Sequence, residues 1–301
     1  MSARPKQLSE AEREARRRAQ REELERALSA LLSSEGWRRW LRTRAVLHTY
    51  SARNTILIAQ QAYARGIEPT HVAGFSAWLK LGRCVRKGER GLSIWAPMRV
   101  KERDEQGEDT GEKRTLFRVA HVWDVSQTEP LDGVETAPLA APSEPIEGDS
   151  HAHLLAPLAR LAGDLGYSFA FVEQLPGGAR GICRRARREI LVDAGLAANF
   201  QVAVAIHELC HALIGERDEL RKVGYALEEI VVESATYIAC GAAGLATDVD
   251  SVPYVAGWAG ESDPLQVVRE AAETIDSLAR LIEDAIAPRA PGEPEPAEAA
   301  P

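Results

Sequence analysis

The spacing of apolar residues changes several times along the chain, and each change marks an element. Residues 1–33 alternate charge at helical intervals (EAEREARRRAQREELERALSALL), which predicts a solvated helix. Residues 34–66 continue with apolar positions at helical spacing, and Ser51 is placed to cap a helix start. A short helix around GFSAWLKLG follows. Two strand-like runs, GLSIWAPMRV and TLFRVAHVWDV, then flank the polar insert KERDEQGEDTGEKR, the pattern of a hairpin or of adjacent strands joined by a mobile loop. Residues 129–150 are rich in Pro, Glu and small side chains and read as a linker. Beyond it come a helix from about His151 to Leu165 and three short strand-like runs (YSFAFVEQL, GARGICRR, REILVDA). Two apolar helices follow, then an amphipathic helix, PLQVVREAAETIDSLARLIEDAI. The tail APRAPGEPEPAEAAP has almost nothing to bury.

The expected fold class is α+β in two domains. Residues 1–19 form a charged extension and 20–128 a first α/β domain; 129–150 link it to a second, small domain at 151–286, with an active helix and a short sheet. A disordered tail is expected at 287–301.

The two apolar helices carry the most pointed chemistry. In QVAVAIHELCHALIG, His207 and His211 stand one turn apart on one face, where both can bind one tetrahedral cation. Glu208 projects beside them, placed to take a proton from a bound water and pass it to a leaving amine. The helix is apolar almost all round, so two histidines and a glutamate there would be costly without partners. The next helix carries Glu229 and Glu233, also a turn apart. Either can supply a third ligand; Glu228 lies one residue off that face, and Cys210 points away from the pair as a small core residue. Tyr225, Tyr254 and His151 are candidate donors to an oxyanion. The metal expected is zinc, with manganese or another divalent ion as the alternative.

Composition narrows the setting. The apolar fraction is ordinary, no run of eighteen apolar residues spans a membrane, and the charged N-terminus has no apolar stretch after it. The four cysteines (Cys84, Cys183, Cys210, Cys240) lack paired spacing, which suits reduced thiols and a cytoplasmic location. The net charge of −8 conceals an asymmetry: residues 1–125 hold 25 Lys+Arg against 16 Asp+Glu, and the rest hold 12 against 29. A basic half suits a polyanion that the acidic half would repel. Within it, Lys80, Arg83, Arg86, Lys87 and Arg90 lie among glycines between a short helix and a strand, flanked by Trp78 and Trp95. Cations that follow phosphates, with rings on which bases stack, are what a single-stranded nucleic-acid surface requires.

The same segment resembles the N-terminal domain of ArdC-type antirestriction proteins. The resemblance rests on Tyr50-Ser51…Asn54, the stretch G-F-x-x-W-x-x-L-G-R-x-V-x-K-G-E-x-G at Gly74–Gly91, the strand ending Ala96-Pro97, and D-V-S-Q-T at Asp124–Thr128. It covers roughly residues 20–130. Pro130 departs from the glycine usual in that family, so the local turn must differ. The resemblance implies single-stranded DNA binding, a following metallopeptidase-like domain and an antirestriction role in a mobile element. The second half resembles the ImmA/IrrE-like zincin peptidases. That likeness implies His207, His211 and Glu229 as ligands with Glu233 orienting a histidine, although the roles of the two glutamates are exchangeable. It also implies that an extended protein substrate pairs with the sheet edge. A regulatory peptidase that cleaves a repressor, and a non-catalytic DNA-binding protein with a structural metal, are the alternative readings.

Overall fold

The computed structural model describes residues 10–103, 109–134, 136, 144–216, 225–249, 252 and 263–287. The chain opens with three helices, α1 (Glu10–Ala30), α2 (Ser34–Val46) and α3 (Ala52–Tyr63). Ser33 and Ser51 cap α2 and α3, their side chains accepting from the amides of Gly36 and Asn54. Strand β1 (Val72–Gly74), helix α4 (Phe75–Lys80) and strand β2 (Arg83–Val85) follow. The hairpin β3 (Leu92–Arg103) and β4 (Asp109–Asp124) is next, then the short strand β5 (Thr128–Pro130). β1, β4 and β3 form one antiparallel sheet, and β2 pairs with β5.

The polar insert at 101–114 reads as a mobile loop in the sequence, yet the strands run into it from both sides. Val100 pairs with Arg114, Lys101 with Lys113 and Arg103 with Asp109, across a register shift. Two strands already in register extend their ladder past the apolar part of the sequence, because backbone pairing needs no apolar side chain. The outer edge of β3 is covered by side chains of α3. The Asn54 amide donates to the Trp95 carbonyl and accepts from its N–H, each at 2.9 Å. Two turns later Gln61 does the same with Ser93, at 2.9 and 2.8 Å. These amides take the place of a neighbouring strand, which satisfies an edge otherwise open to unwanted pairing.

In the second half, β6 (Glu144–Pro145) precedes α5 (Leu155–Asp164), followed by strands β7 (Ser168–Val172), β8 (Gly181–Arg184) and β9 (Glu189–Asp193). β9 is central, parallel to β7 and antiparallel to β8. Helices α6 (Ala198–Gly215) and α7 (Tyr225–Ala242), strand β10 (Leu245–Ala246) and helix α8 (Pro264–Ile286) complete the described elements. Asp263 caps α8 with Pro264 in its first turn, so the predicted amphipathic helix begins where its cap residue stands.

The ends of the Pro/Glu-rich stretch are pinned. β5 pairs with β2, β6 pairs with β10, and buried Asn199 binds the Pro145 carbonyl at 2.8 Å and the His151 amide at 2.8 Å. His151, one of the oxyanion candidates, is held at 2.9 Å from the Ala243 carbonyl, a structural bond. The remainder of that stretch, the tail from 288 and the first nine residues lie outside the described residues, as do Tyr254 and the Tyr225 side chain.

The hydrophobic core does not divide at residues 129–150. One cluster joins Leu28, Trp37, Trp40 and Leu57 of α1–α3 to Leu158, Ile190, Leu209, Val232 and Ile275 of the second half. A smaller cluster (Leu47, Ile58, Val72, Leu92, Ile94, Val122) lies under the hairpin. α2 and α7 meet closely enough that a Cβ on Gly241 would stand 2.8 Å from that of Ala45. The charge contrast between halves is therefore a property of the surface and not a boundary of the core.

Candidate metal centre and nucleic-acid surface

α6 is apolar on nearly every face because it is buried on nearly every face: Val202, Ala205, Ile206, Leu209, Cys210 and Leu213 all lie in the core. His207 and His211 share the remaining stripe, facing α7. Among the described residues, His207, His211 and Glu229 form the one group whose ligand atoms converge, all within 4.8 Å. The two histidine Nε2 atoms are 3.2 Å apart, and a Glu229 oxygen stands 3.4 Å from His211 Nε2 and another 4.0 Å from His207 Nε2. Ligand atoms about 2 Å from a tetrahedral centre stand about 3.3 Å from one another, so the spacing fits a cation. Burial, followed by the neighbouring His211 ring, holds the His207 imidazole down at about 4, in the neutral form a metal requires.

Glu233 lies 3.8 Å from His207 Nδ1, beside the site and beyond hydrogen-bond length, and it is not in the converging group. Burial, then the neighbouring Glu229 charge, raises its carboxyl above the ordinary range. Glu228, off the ligand face in the sequence reading, accepts from His211 Nδ1 at 2.9 Å. Arg185 in turn binds both Glu228 oxygens and the His211 carbonyl. The signal for Glu228 in the sequence is weak, a place next to a ligand on a buried helix, and Arg185 has none.

Glu208 is buried beside the pair, at 7% exposure. β8 comes so close that a Cβ on Gly181 would stand 2.7 Å from Glu208 Oε1 and 2.5 Å from Val204 Cγ1, so only glycine fits there without displacing Glu208. The Cys183 amide donates to the Glu208 carboxylate; burial nevertheless pushes the carboxyl up to about 7. A group poised there can both accept and release a proton near neutral pH. Cys210 is fully buried and takes no part in the cluster, as its position between the histidines implied.

The basic segment differs from its sequence reading. Trp78, expected as a stacking platform, is fully buried, packs on His71 and donates its indole N–H to the Trp123 carbonyl. Trp95 is half-buried against the main core, its backbone taken by Asn54. Ring size alone does not distinguish a core position from a platform. Arg83 and Arg86 spend their guanidinium groups on the chain itself. Arg83 donates to Thr128 Oγ1 at 2.7 Å, and Arg86 donates to the Ser126 carbonyl at 2.6 Å and to Glu89. These bonds, with those of Gln127 to Glu89 and the Arg90 carbonyl, fasten the 86–91 loop onto the end of β4. Lys80, Lys87 and Arg90 remain exposed. The rings in this region with an outward face are Phe75, half-exposed, and Trp123, half-buried, which meet edge to face at 6.2 Å. Gly91 gives Trp123 its seat, since a Cβ there would stand 3.1 Å from the indole.

Residues 20–125 match the family model for the N-terminal domain of anti-restriction factor ArdC. The match runs from the second half of α1 to the end of β4. Among solved structures, the chain is similar to the antirestriction protein ArdC from plasmid R388. Its metal-free crystal structure gives 21% identity over 79% of this chain and 85% of that one, with a TM-score of 0.49. The Mn(II)-bound structure gives 17% identity over 79% and 90%, with a TM-score of 0.47. No curated protein matches the chain. No described helix is long and apolar enough to cross a membrane.

Proposed function

We propose that the chain is an antirestriction-type protein that binds single-stranded DNA through its first half and carries a metal-dependent peptidase centre in its second. The observation that carries the second part is the convergence of His207, His211 and Glu229 with a buried Glu208 beside them. A structural site would need the three ligands but no carboxylate kept at about 7 next to them. A divalent cation bound by His207, His211 and Glu229, zinc or manganese by its donor set, would supply Lewis-acid activation of water and of a peptide carbonyl. Glu208 would take the proton from that water and return it to the leaving amine. The outer edge of β8 runs beside α6 and offers backbone groups to an extended substrate. His207→Ala is expected to lose the bound metal that the wild-type chain retains after dialysis, read by elemental mass spectrometry. Equal metal content in the two proteins would overturn the site.

The DNA reading is supported by the family match, by the rings of Phe75 and Trp123, and by the exposed Lys80, Lys87 and Arg90. Replacing Lys80, Lys87 and Arg90 with Gln should weaken binding to a labelled single strand about tenfold or more. It should also flatten the log–log salt slope by about 2, since each phosphate contact contributes about 0.7. Phe75→Ala should weaken binding with no change in slope, because stacking carries no counterion release. Fluorescence anisotropy across salt concentrations separates the two effects, and an unchanged slope in the triple variant would remove this surface from the reading.

A further inference from the structure

The strongest feature outside the ligands is the chain of contacts that leads away from His211. Its Nδ1 lies 2.9 Å from Glu228 Oε1. Glu228 is gripped from behind: Arg185 Nη1 donates to Oε2 at 3.3 Å, and Nη2 donates to Oε1. The third donor of the same guanidinium, Nε, reaches the backbone carbonyl of His211 at 2.9 Å. One arginine therefore holds both the carboxylate that faces the imidazole and the backbone that carries it. Its approach across α6 depends on Gly215, where a Cβ would stand 2.9 Å from Arg185 Cδ and Nε.

The chemistry gives this arrangement a purpose. An imidazole whose Nδ1–H points at a carboxylate keeps its Nε2 lone pair for a cation, and the carboxylate makes that nitrogen a stronger donor. Glu228 is one residue from Glu229, and a loose carboxylate there could swing to the cation. Two bonds from a planar guanidinium also fix the carboxylate plane, which a lysine could not do.

We propose that Arg185 is a positioning residue for the metal centre, acting through Glu228 to fix the orientation and tautomer of His211. The proposal rests on the reading of His207, His211 and Glu229 as metal ligands. Its test is the zinc affinity of the full chain, measured by competition with a chromophoric chelator below the unfolding midpoint of every metal-free variant. Arg185→Met and Glu228→Gln are each expected to bind zinc about 10- to 100-fold more weakly than wild type. The Arg185→Met/Glu228→Gln double variant should bind no more than about threefold more weakly than the weaker single variant, because both changes break one relay. Arg185→Lys keeps a cation over Gly215 without the paired bonds and should bind more than about threefold more weakly than wild type, though no more weakly than Arg185→Met, which covers the case where Arg185→Met does not fold. Affinity within about threefold of wild type in Arg185→Met or Arg185→Lys, or losses that multiply in the double variant, would overturn the relay. A wild-type chain that takes up neither zinc nor manganese would overturn the metal centre and this inference with it.

Discussion

Glu208→Gln is expected to slow metal-dependent peptide cleavage by about a hundredfold to ten-thousandfold, the usual contribution of a positioned acid–base group, while metal content and fold stay as they are. Gln has the shape of Glu and can still accept the Cys183 N–H, so the contact with β8 survives. The tight packing of Gly181 against this side chain leaves no room for a larger change. What is lost is the ability to carry a proton, which burial has tuned to about 7. The proposed ligands His207, His211 and Glu229 are untouched. The measurement is fragment release from an unfolded protein substrate, with and without single-stranded DNA, beside elemental analysis of the same samples. Cleavage at the wild-type rate by Glu208→Gln would exclude Glu208 as the base and remove the peptidase reading.

Much of this centre is legible because a helix imposes its own geometry. Residues at i and i+4 share a face whatever the rest of the fold does, so His207 and His211 can be paired on sequence. The choice between Glu229 and Glu233 cannot be made there, because it depends on how α7 lies against α6. In the structure Glu229 joins the converging group while Glu233 sits near the far nitrogen of His207. Glu228 escapes notice through a correct argument applied to one partner. One residue is about 100° around a helix, which takes its carboxylate away from the cation but brings it to the other nitrogen of His211. Arg185 gives no signal, since its place depends on a strand end crossing α6 at a glycine far along the sequence.

The basic half is less legible for a different reason. Charge and ring content describe a composition, and composition does not tell which side chains the fold consumes internally. Trp78 goes to the core, and Arg83 and Arg86 go to the turn after β4. The extent of the core is hidden in the same way. A Pro/Glu-rich stretch marks a break in patterning along the chain, but α1–α3 still have apolar faces to bury, and α7 and α8 supply the matching surface. The helix that bears Glu228 and Glu229 thus rests directly on α2, so the candidate metal centre and the first half share one scaffold.

That shared scaffold contains the group on which stability should depend most. Arg44→Met is expected to cost about 3–5 kcal/mol, the loss found when one partner of a buried ion pair is removed. Arg44 on α2 is fully buried. Its Nε donates to Asp276 at 2.5 Å, and its Nη atoms donate to Glu283 at 2.9 and 3.1 Å, both acceptors lying on α8. Asp276 also accepts from the Ala52 amide at 3.2 Å, so the first turn of α3 is tied to the same carboxylate. Arg280 bonds Asp276 at 3.0 Å and reaches the Tyr50 carbonyl. Without Arg44, Glu283 is left in the interior without that cation and Asp276 keeps Arg280. Adding Glu283→Leu to Arg44→Met removes the stranded charge and should recover a substantial part of the loss, because an apolar replacement of a buried pair is often close to neutral. Urea unfolding followed by tryptophan fluorescence and by circular dichroism reads both effects. Since Trp37 and Trp40 sit in the cluster that spans both halves, the two signals should change together in a single transition. A loss below about 1 kcal/mol in Arg44→Met, well short of the buried-pair value, or fluorescence and dichroism transitions that separate, would mean that this network does not join the halves of the chain.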